Sequence, residues 1–370
     1  MNRRLRVAVL FGGKSAEHEI SLQSAKNIVE AIDKKKYQVV LIGINKRGQW
    51  NLNETSAVTR HADSSKPIKA LKPAESVVLV PGGKVGQMAT LSGHRTVGAV
   101  DVVFPVLHGP FGEDGTVQGL LKLANVPFVG AGVLGSAVGM DKDVMKRLLR
   151  DAGIRTAKFL VFERSSSGKM DFGKVKHRLG LPFFVKPANL GSSVGIHKVK
   201  GKRQFEYAVK EAFQYDSKVL VEECIQGREI ECSVLGNDHP MASLPGEIIT
   251  RHEFYSYQAK YLDKRGAVLE VPAKLPAHII QEIQDLSIKT FKVLCCEGMA
   301  RVDFFLRDNK EIIVSEINTI PGFTKISMYP KLWEASGISY TELIDRLIQI
   351  ALDRFRREAK LKTSLPISFS

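Results

Sequence analysis

Residues 301–324 read RVDFFLRDNKEIIVSEINTIPGFT. Arg301–Leu306 and Glu311–Asn318 have the composition of two strands joined at a tight turn around Asn309-Lys310. Antiparallel strands joined by a two-residue turn pair residues whose numbers sum to an odd total. Arg301 and Asp303 therefore share a face with Glu316 and Asn318, because side chains alternate with period two. That face carries two carboxylates and an amide oxygen beside a guanidinium. All-oxygen ligands of this kind suit Mg²⁺ shared with nucleotide phosphates. The plainer alternative is a solvated polar face with a cross-strand ion pair. Pro321-Gly322, immediately downstream, is suited to presenting backbone N–H groups.

A second stretch points the same way. Gly191-Ser192-Ser193-Val194-Gly195 lies between two strand-like runs, with Lys186 at the end of the first. Small residues let backbone N–H groups approach phosphates, and a lysine supplies a point charge for them. The competing reading is a plain tight turn. Taken together, the two stretches describe a nucleotide held between a Gly-Ser hairpin lid and a carboxylate-bearing hairpin.

The N-terminal texture differs. Arg6–Phe11 reads as a buried strand ending at Gly12-Gly13, followed by a helix from about Ser21 and a strand over Tyr37–Ile44, the opening of a parallel doubly wound sheet. Neither G-x-G-x-x-G nor a Walker A pattern occurs. Glu17 and Glu19 would repel a phosphate at the helix start. They suit a substrate ammonium there, or simply complement the helix dipole. Residues 51–75 are polar, and Pro81–His94 reads as a Gly-rich surface excursion. Val97–Leu107 and Pro127–Gly130 read as further strands. Asp141 is placed to cap a helix stopped by Gly153. Beyond it, Phe183–Lys186, Gly195–Val199, Val219–Cys224 and Glu229–Leu235 read as strands with a helix near Phe205–Phe213, an α+β texture. Ile279–Leu294 and Thr341–Phe355 read as amphipathic helices. His252–Arg265 shows no periodicity and reads as a long functional loop.

Composition sets the outer bounds. With 370 residues, 44% hydrophobic and 25% charged, the chain has the makeup of a soluble protein of two or three domains. No apolar run approaches the length of a membrane span. The four cysteines lack zinc or redox spacing and read as reduced structural thiols. With no export signal recognised, the expected location is the cytoplasm. The charge, 54 Lys+Arg against 39 Asp+Glu, is spread along the chain without aromatic interleaving, so no nucleic-acid partner is expected.

The motifs GGKSAEHEISLQS (12–24), HGPFGEDGTVQG (108–119), VGMDKDVMK (138–146), VKPANLGSSVGI (185–196), RVDFF (301–305) and EINTIPGFT (316–324), in this order, resemble those of the D-alanine–D-alanine ligase family of the ATP-grasp superfamily. The resemblance covers about Arg6 to Phe355. It implies a parallel doubly wound, Rossmann-like domain over 1–139, followed by a two-part ATP-grasp fold. The smaller part would span 140–222 with the lid loop. The larger would span 223–360 with the metal site and a mobile loop at 250–265, leaving 361–370 as a flexible tail.

The resemblance also implies the reaction: two D-alanines joined at the expense of ATP, through an acyl phosphate, for peptidoglycan precursor synthesis. By motif match, Glu17 would bind the ammonium of the first D-alanine, with His108 close by. Lys142 and Lys186 would contact ATP phosphates under the Ser192-Ser193 loop. Glu222 and Glu229 match adenine- and ribose-facing acids, with Glu223 and Ile225 along the adenine hinge. Asp303, Glu316 and Asn318 would hold two Mg²⁺ (or Mn²⁺) ions. Arg301 and the Gly322 N–H would stabilise the oxyanion, and Ser327 with Lys260 would hold the second D-alanine carboxylate. Tyr261, bonded to Ser192 and Glu17, would close the site and favour an amine acceptor over the hydroxyl used by D-alanine–D-lactate ligases. A homodimer is implied as well. The competing readings are another ATP-grasp carboxylate ligase and a catalytically silent nucleotide- or nucleic-acid-binding protein.

Overall fold

The computed structural model describes residues 3–54, 75–83, 85–92, 97–165, 170–192, 194–250 and 267–362. Ser193, Lys260, Tyr261 and most of the loop at 250–265 lie outside them.

The chain opens with β1 (Leu5–Gly12), α1 (His18–Ala31) and β2 (Tyr37–Ile44). The edge strands β3 (Trp50–Asn53), β4 (Glu75–Leu79) and β5 (Met88–Thr90) precede β6 (Val102–Val106). They form a sheet ordered β5-β4-β3-β2-β1-β6. Its centre is parallel, with β1 between β2 and β6. Val7–Phe11 are buried on both faces, the uninterrupted apolar run such a centre requires. The expected parallel opening is present, and the outer half of the sheet is antiparallel. The described part of the stretch expected to be a surface excursion, Pro81–His94, supplies β5, whose Met88 and Thr90 are buried while Ala89 is half-exposed. The strand expected over Val97–Leu107 begins at Val102, because Val97 and Ala99 turn their carbonyls to the Arg6 guanidinium. Pro127–Gly130 shrinks to a single bridge, Val103 with Phe128.

Next come α2 (Thr116–Leu123), α3 (Val133–Met140) and α4 (Lys142–Asp151). Asp141 caps α4, accepting from the N–H groups of Asp143 and Val144. Then follow β7 (Phe159–Glu163), α5 (Phe172–Leu179), β8 (Phe183–Pro187), β9 (His197–Val199), α6 (Lys202–Tyr215) and β10 (Lys218–Glu223). Their strands form an antiparallel sheet ordered β7-β10-β8-β9, under the apolar faces of α5 and α6. The strand expected from Gly195 starts two residues later, since Gly195 takes a φ of 68° in the preceding loop.

The third sheet contains β11 (Arg228–Gly236), β12 (Met241–Ala242), β13 (Gly246–Thr250) and β14 (Ala267–Glu270). After α7 (Ala277–Val293) it is completed by β15 (Gly298–Arg307) and β16 (Glu311–Asn318). The order is β14-β13-β11-β15-β16, with β12 beside β11. Finally, α8 (Met328–Ala335) leads to α9 (Tyr340–Glu358), whose N-terminus is capped by Ser339. Helices α1 and α9 share one core with β1 and β6, so α9 packs against the first sheet. Arg354 seals the joint, buried against the Phe128 ring and donating to the carbonyls of Gly130 (2.6 Å) and Phe128 (2.8 Å). Among the described residues no helix is long and apolar enough to cross a membrane.

Candidate active site at the meeting of the three sheets

The hairpin β15–β16 confirms the expected face by an unexpected route. Its turn has three residues, Asp308-Asn309-Lys310, with the first two at positive φ, so Arg307 pairs with Glu311 and the sums are even. An irregularity between Asp303 and Phe304 then adds one residue on β16 and shifts the register. Beyond it Asp303 pairs with Glu316 and Arg301 with Asn318. The two departures from an ideal hairpin cancel, and all four side chains lie on one face. Arg301 forks onto Asp303, at 2.7 Å from Nε and 2.7 Å from Nη2, and Asn318 Nδ2 donates to Asp303 Oδ2 at 2.9 Å. Burial alone would lower the guanidinium pKa, but Asp303 and Glu231 hold it well above its ordinary value.

These donors fit a hard divalent cation in their chemistry, with two carboxylates and an amide oxygen. Among the described residues no three acids, histidines or cysteines are grouped tightly enough to hold a metal by themselves.

Facing this hairpin is a set of buried lysines. Lys142, at the first turn of α4, donates to the Leu190 carbonyl at 2.6 Å and stands 3.9 Å from Glu316. Lys146, one turn on, is fully buried with its Nζ 2.5 Å from Glu222, and Lys186 on β8 pairs with the other Glu222 oxygen. Burial alone would raise the Glu222 carboxyl, but Lys146 and Lys186 overcome this and hold it below the usual range. Burial lowers Lys142 and Lys146, since their carboxylate neighbours do not fully offset it. Glu222 thus serves two ammonium groups, and Lys142 has Glu316 at a longer distance. Three lysines share two nearby carboxylates, a surplus of positive charge suited to an anion.

The lid meets the first sheet here. Ser192, at φ 51°, donates to Glu17 at the start of α1. Gly109, Gly191 and Glu17 lie together, such that a Cβ on Gly109 would sit 3.1 Å from the Glu17 carboxylate. His108 is buried, with Nδ1 3.0 Å from the Ile320 carbonyl and Nε2 3.4 Å from Ser24 Oγ; burial pushes its pKa down against the pull of Glu17. Gly322 lies close against Ser327, and an added Cβ would sit 2.8 Å from Ser327 Oγ, so that hydroxyl would have to move. Ser327 in turn is bonded to Thr324.

Other predicted residues stand differently. Glu223 spends its carboxylate on the Lys158 N–H (2.7 Å), and Ile225 packs with Ala157 and Ile313. Glu229 lies on the same face of β11 as Glu231, opposite Phe305. Glu222, expected at the adenine or ribose, is engaged by the lysines.

Three residues escaped the sequence reading. Lys146 follows Lys142 by four, one helical turn, and that spacing was its available signal. Glu231 becomes visible once β11 is known to pair with β15. Glu113 lies inside the HGPFGEDG motif. Its half-buried carboxyl accepts from Gly109 N (2.7 Å) and Ile320 N (3.3 Å), while His108 holds the carbonyl of the same Ile320. Together they hold the backbone of Ile320 by its N–H and its carbonyl, just before Pro321-Gly322.

Burial, reinforced by Glu17, pushes the Glu113 carboxyl up to about 8. An unfolded glutamate ionises near ~4.3, so between there and pH 8 the folded state binds more protons and loses stability as pH rises. Glu113→Gln has no proton to lose. Its melting temperature, measured against the parent in ligand-free protein, is expected to rise by several degrees between pH 5.5 and pH 8.5. A difference independent of pH would contradict the raised value.

Three sheets meeting at buried lysines, a Gly-Ser loop and a carboxylate-bearing hairpin are the arrangement of the ATP-grasp class of ligases. Comparison with known proteins narrows this. The family model for the D-ala D-ala ligase N-terminus matches residues 6–131, and that for the C-terminus matches residues 148–349. The chain belongs to the D-alanine–D-alanine ligase family. It is 54% identical over 359 residues to the D-alanine–D-alanine ligase of Oceanobacillus iheyensis, covering 97% of this chain and 98% of that one. It is 52% identical over 362 residues to D-alanine–D-alanine ligase A of Escherichia coli K12, covering 98% of this chain and 100% of that one.

Solved structures agree. The D-alanine–D-alanine ligase of Coxiella burnetii superposes with a TM-score of 0.85 at 41% identity, covering 96% of each chain. The VanG D-Ala:D-Ser ligase of Enterococcus faecalis gives 0.83 at 36%, covering 94% of this chain and 100% of that one. An ATP complex of the Bacillus anthracis D-alanine–D-alanine ligase gives 0.72 at 30%, covering 96% of this chain and 100% of that one.

Proposed function

We propose that this chain is an ATP-dependent D-alanine–D-alanine ligase that supplies the dipeptide for peptidoglycan precursors. The observation that carries the reading is the buried surplus of ammonium groups on Lys142, Lys146 and Lys186, opposite the acids of β15–β16. It matches a polyphosphate, and the full-length likeness to D-alanine–D-alanine ligases supports the substrate.

A carboxylate oxygen of the first D-alanine attacks the γ-phosphorus and ADP leaves. The amine of the second D-alanine, having lost a proton, attacks the acyl carbon. Phosphate then departs from the tetrahedral intermediate. The protein's part is placement and charge stabilisation. We assign Glu17, with His108 beside it, to the first ammonium. Lys142 and Lys186 take the phosphates under the Ser192 loop, and Arg301 with the Gly322 N–H takes the oxyanion. Ser327 and Lys260 take the second carboxylate, and Tyr261 closes the site. Asp303, Glu316 and Asn318 would hold Mg²⁺, which when bound neutralises phosphate charge. We place the enzyme in the cytoplasm, where its four free thiols stay reduced. A homodimer rests on family resemblance.

The test is phosphate release from ATP and Mg²⁺ with D-alanine, with L-alanine, and with D-alanine plus D-lactate or D-serine. Release that requires D-alanine and yields the dipeptide is expected. Preferential formation of the ester or of D-alanyl-D-serine would keep the mechanism and overturn the acceptor. ATP binding without turnover would favour a silent nucleotide-binding protein.

A further inference from the structure

Glu231 belongs to none of the roles above, yet it is buried at the heart of the third sheet. It pairs directly with Asp303 across β11–β15, and Asp303 pairs with Glu316 across β15–β16. Three adjacent strands thus carry a row of carboxylates, Glu231, Asp303 and Glu316, on one face. In the next row, Ser233, Arg301 and Asn318 stand opposite one another. The guanidinium lies between the first two acids: Nε is 2.7 Å from Asp303 Oδ1 and 2.8 Å from Glu231 Oε2.

This arrangement poses a conflict. Asp303 is engaged by the Arg301 fork and by the Asn318 amide. A cation that takes Asp303 competes with that fork. It also sets a dication near a guanidinium whose partner it has just claimed. A carboxylate on the far side of Arg301, away from Glu316, resolves both difficulties. We propose that Glu231 is a positioning residue: it keeps Arg301 in place and neutralised while Asp303 turns to the cation. The inference deepens the reading above and rests on it in one respect, that Asp303 is a cation ligand.

The test is Mn²⁺ binding to the full chain in the presence of ADP, followed by electron paramagnetic resonance of free Mn²⁺, with no turnover involved. In Glu231→Gln the fork onto Asp303 meets no rival carboxylate, and affinity is expected to fall about tenfold, a typical loss for an outer-shell partner of a metal ligand. A role in packing alone would lower the melting temperature and leave Mn²⁺ affinity at the parent value, and that result overturns the proposal. Glu231→Asp, which keeps the charge but withdraws it from Nε, is expected to lose a smaller part. If the Gln variant does not fold, an unchanged affinity in the Asp variant overturns the proposal instead. A parent protein that takes up no Mn²⁺ with ADP would refute the cation assignment itself, a failure distinct from equal binding by parent and variant.

Discussion

Asp303→Asn is expected to lower turnover by about a hundredfold or more while the chain still folds and melts cooperatively. The residue does two jobs in the structure. Its carboxylate receives the Arg301 fork, and it pairs with Glu316 on the face proposed for the cation. An amide of the same shape keeps the strand register and one acceptor oxygen, but it removes the charge on which both jobs depend. Loss of one preorganised electrostatic partner in a desolvated site costs about 10²–10³ in turnover. Steady-state phosphate release beside a thermal melt checks both halves. Near-normal turnover would remove Asp303, and the cation face with it, from the mechanism.

The second large effect is on stability. Glu222→Gln should destabilise the ligand-free protein by about 3–5 kcal/mol, the range for removing one partner of a buried ion pair. Glu222 is buried, and its two oxygens serve Lys146 and Lys186. Without it these ammonium groups face one another and Lys142 in a desolvated pocket. They can relieve the strain in two ways, and both are measurable. They lose protons as pH rises, so the deficit in melting temperature against the parent should shrink from pH 6 to pH 9. They also accept an anion, so ATP should raise the melting temperature of the variant more than that of the parent. A variant that melts with the parent at every pH would show that the lysines need no counter-ion.

The sequence carried the chemistry further than the geometry. Strand periodicity placed Arg301, Asp303, Glu316 and Asn318 on one face, yet the route assumed a two-residue turn. The real hairpin reaches the same face through a three-residue turn and a compensating irregularity. Parity arguments are sensitive to a single residue, and here two errors cancelled. The antiparallel edge β3–β5 was hidden because its strands are short and set among polar residues. Capping chemistry is local, and Asp141 was legible for that reason. Glu113, Lys146 and Glu231 were not, because what marks them is burial and cross-strand or cross-domain neighbours. No spacing shows that Glu113 reaches the Ile320 N–H, 207 residues away.

The placement of α9 has a consequence for how the protein is made. Val7, Val9 and Phe11 of the first strand share their core with Leu343, Ile344, Leu347, Ile348 and Leu352 near the end of the chain. Tyr37 and Lys36 reach Asp345, and Arg354 locks onto Phe128 and Gly130. A ribosome synthesises the first sheet early but must release nearly the whole chain before the last helix can cover it. Until then an apolar face of β1 and α1 waits exposed, the condition in which nascent chains depend on chaperones. Strand β1 and helix α9 are made far apart in time and lie adjacent in space, so the first sheet is among the last parts to be finished.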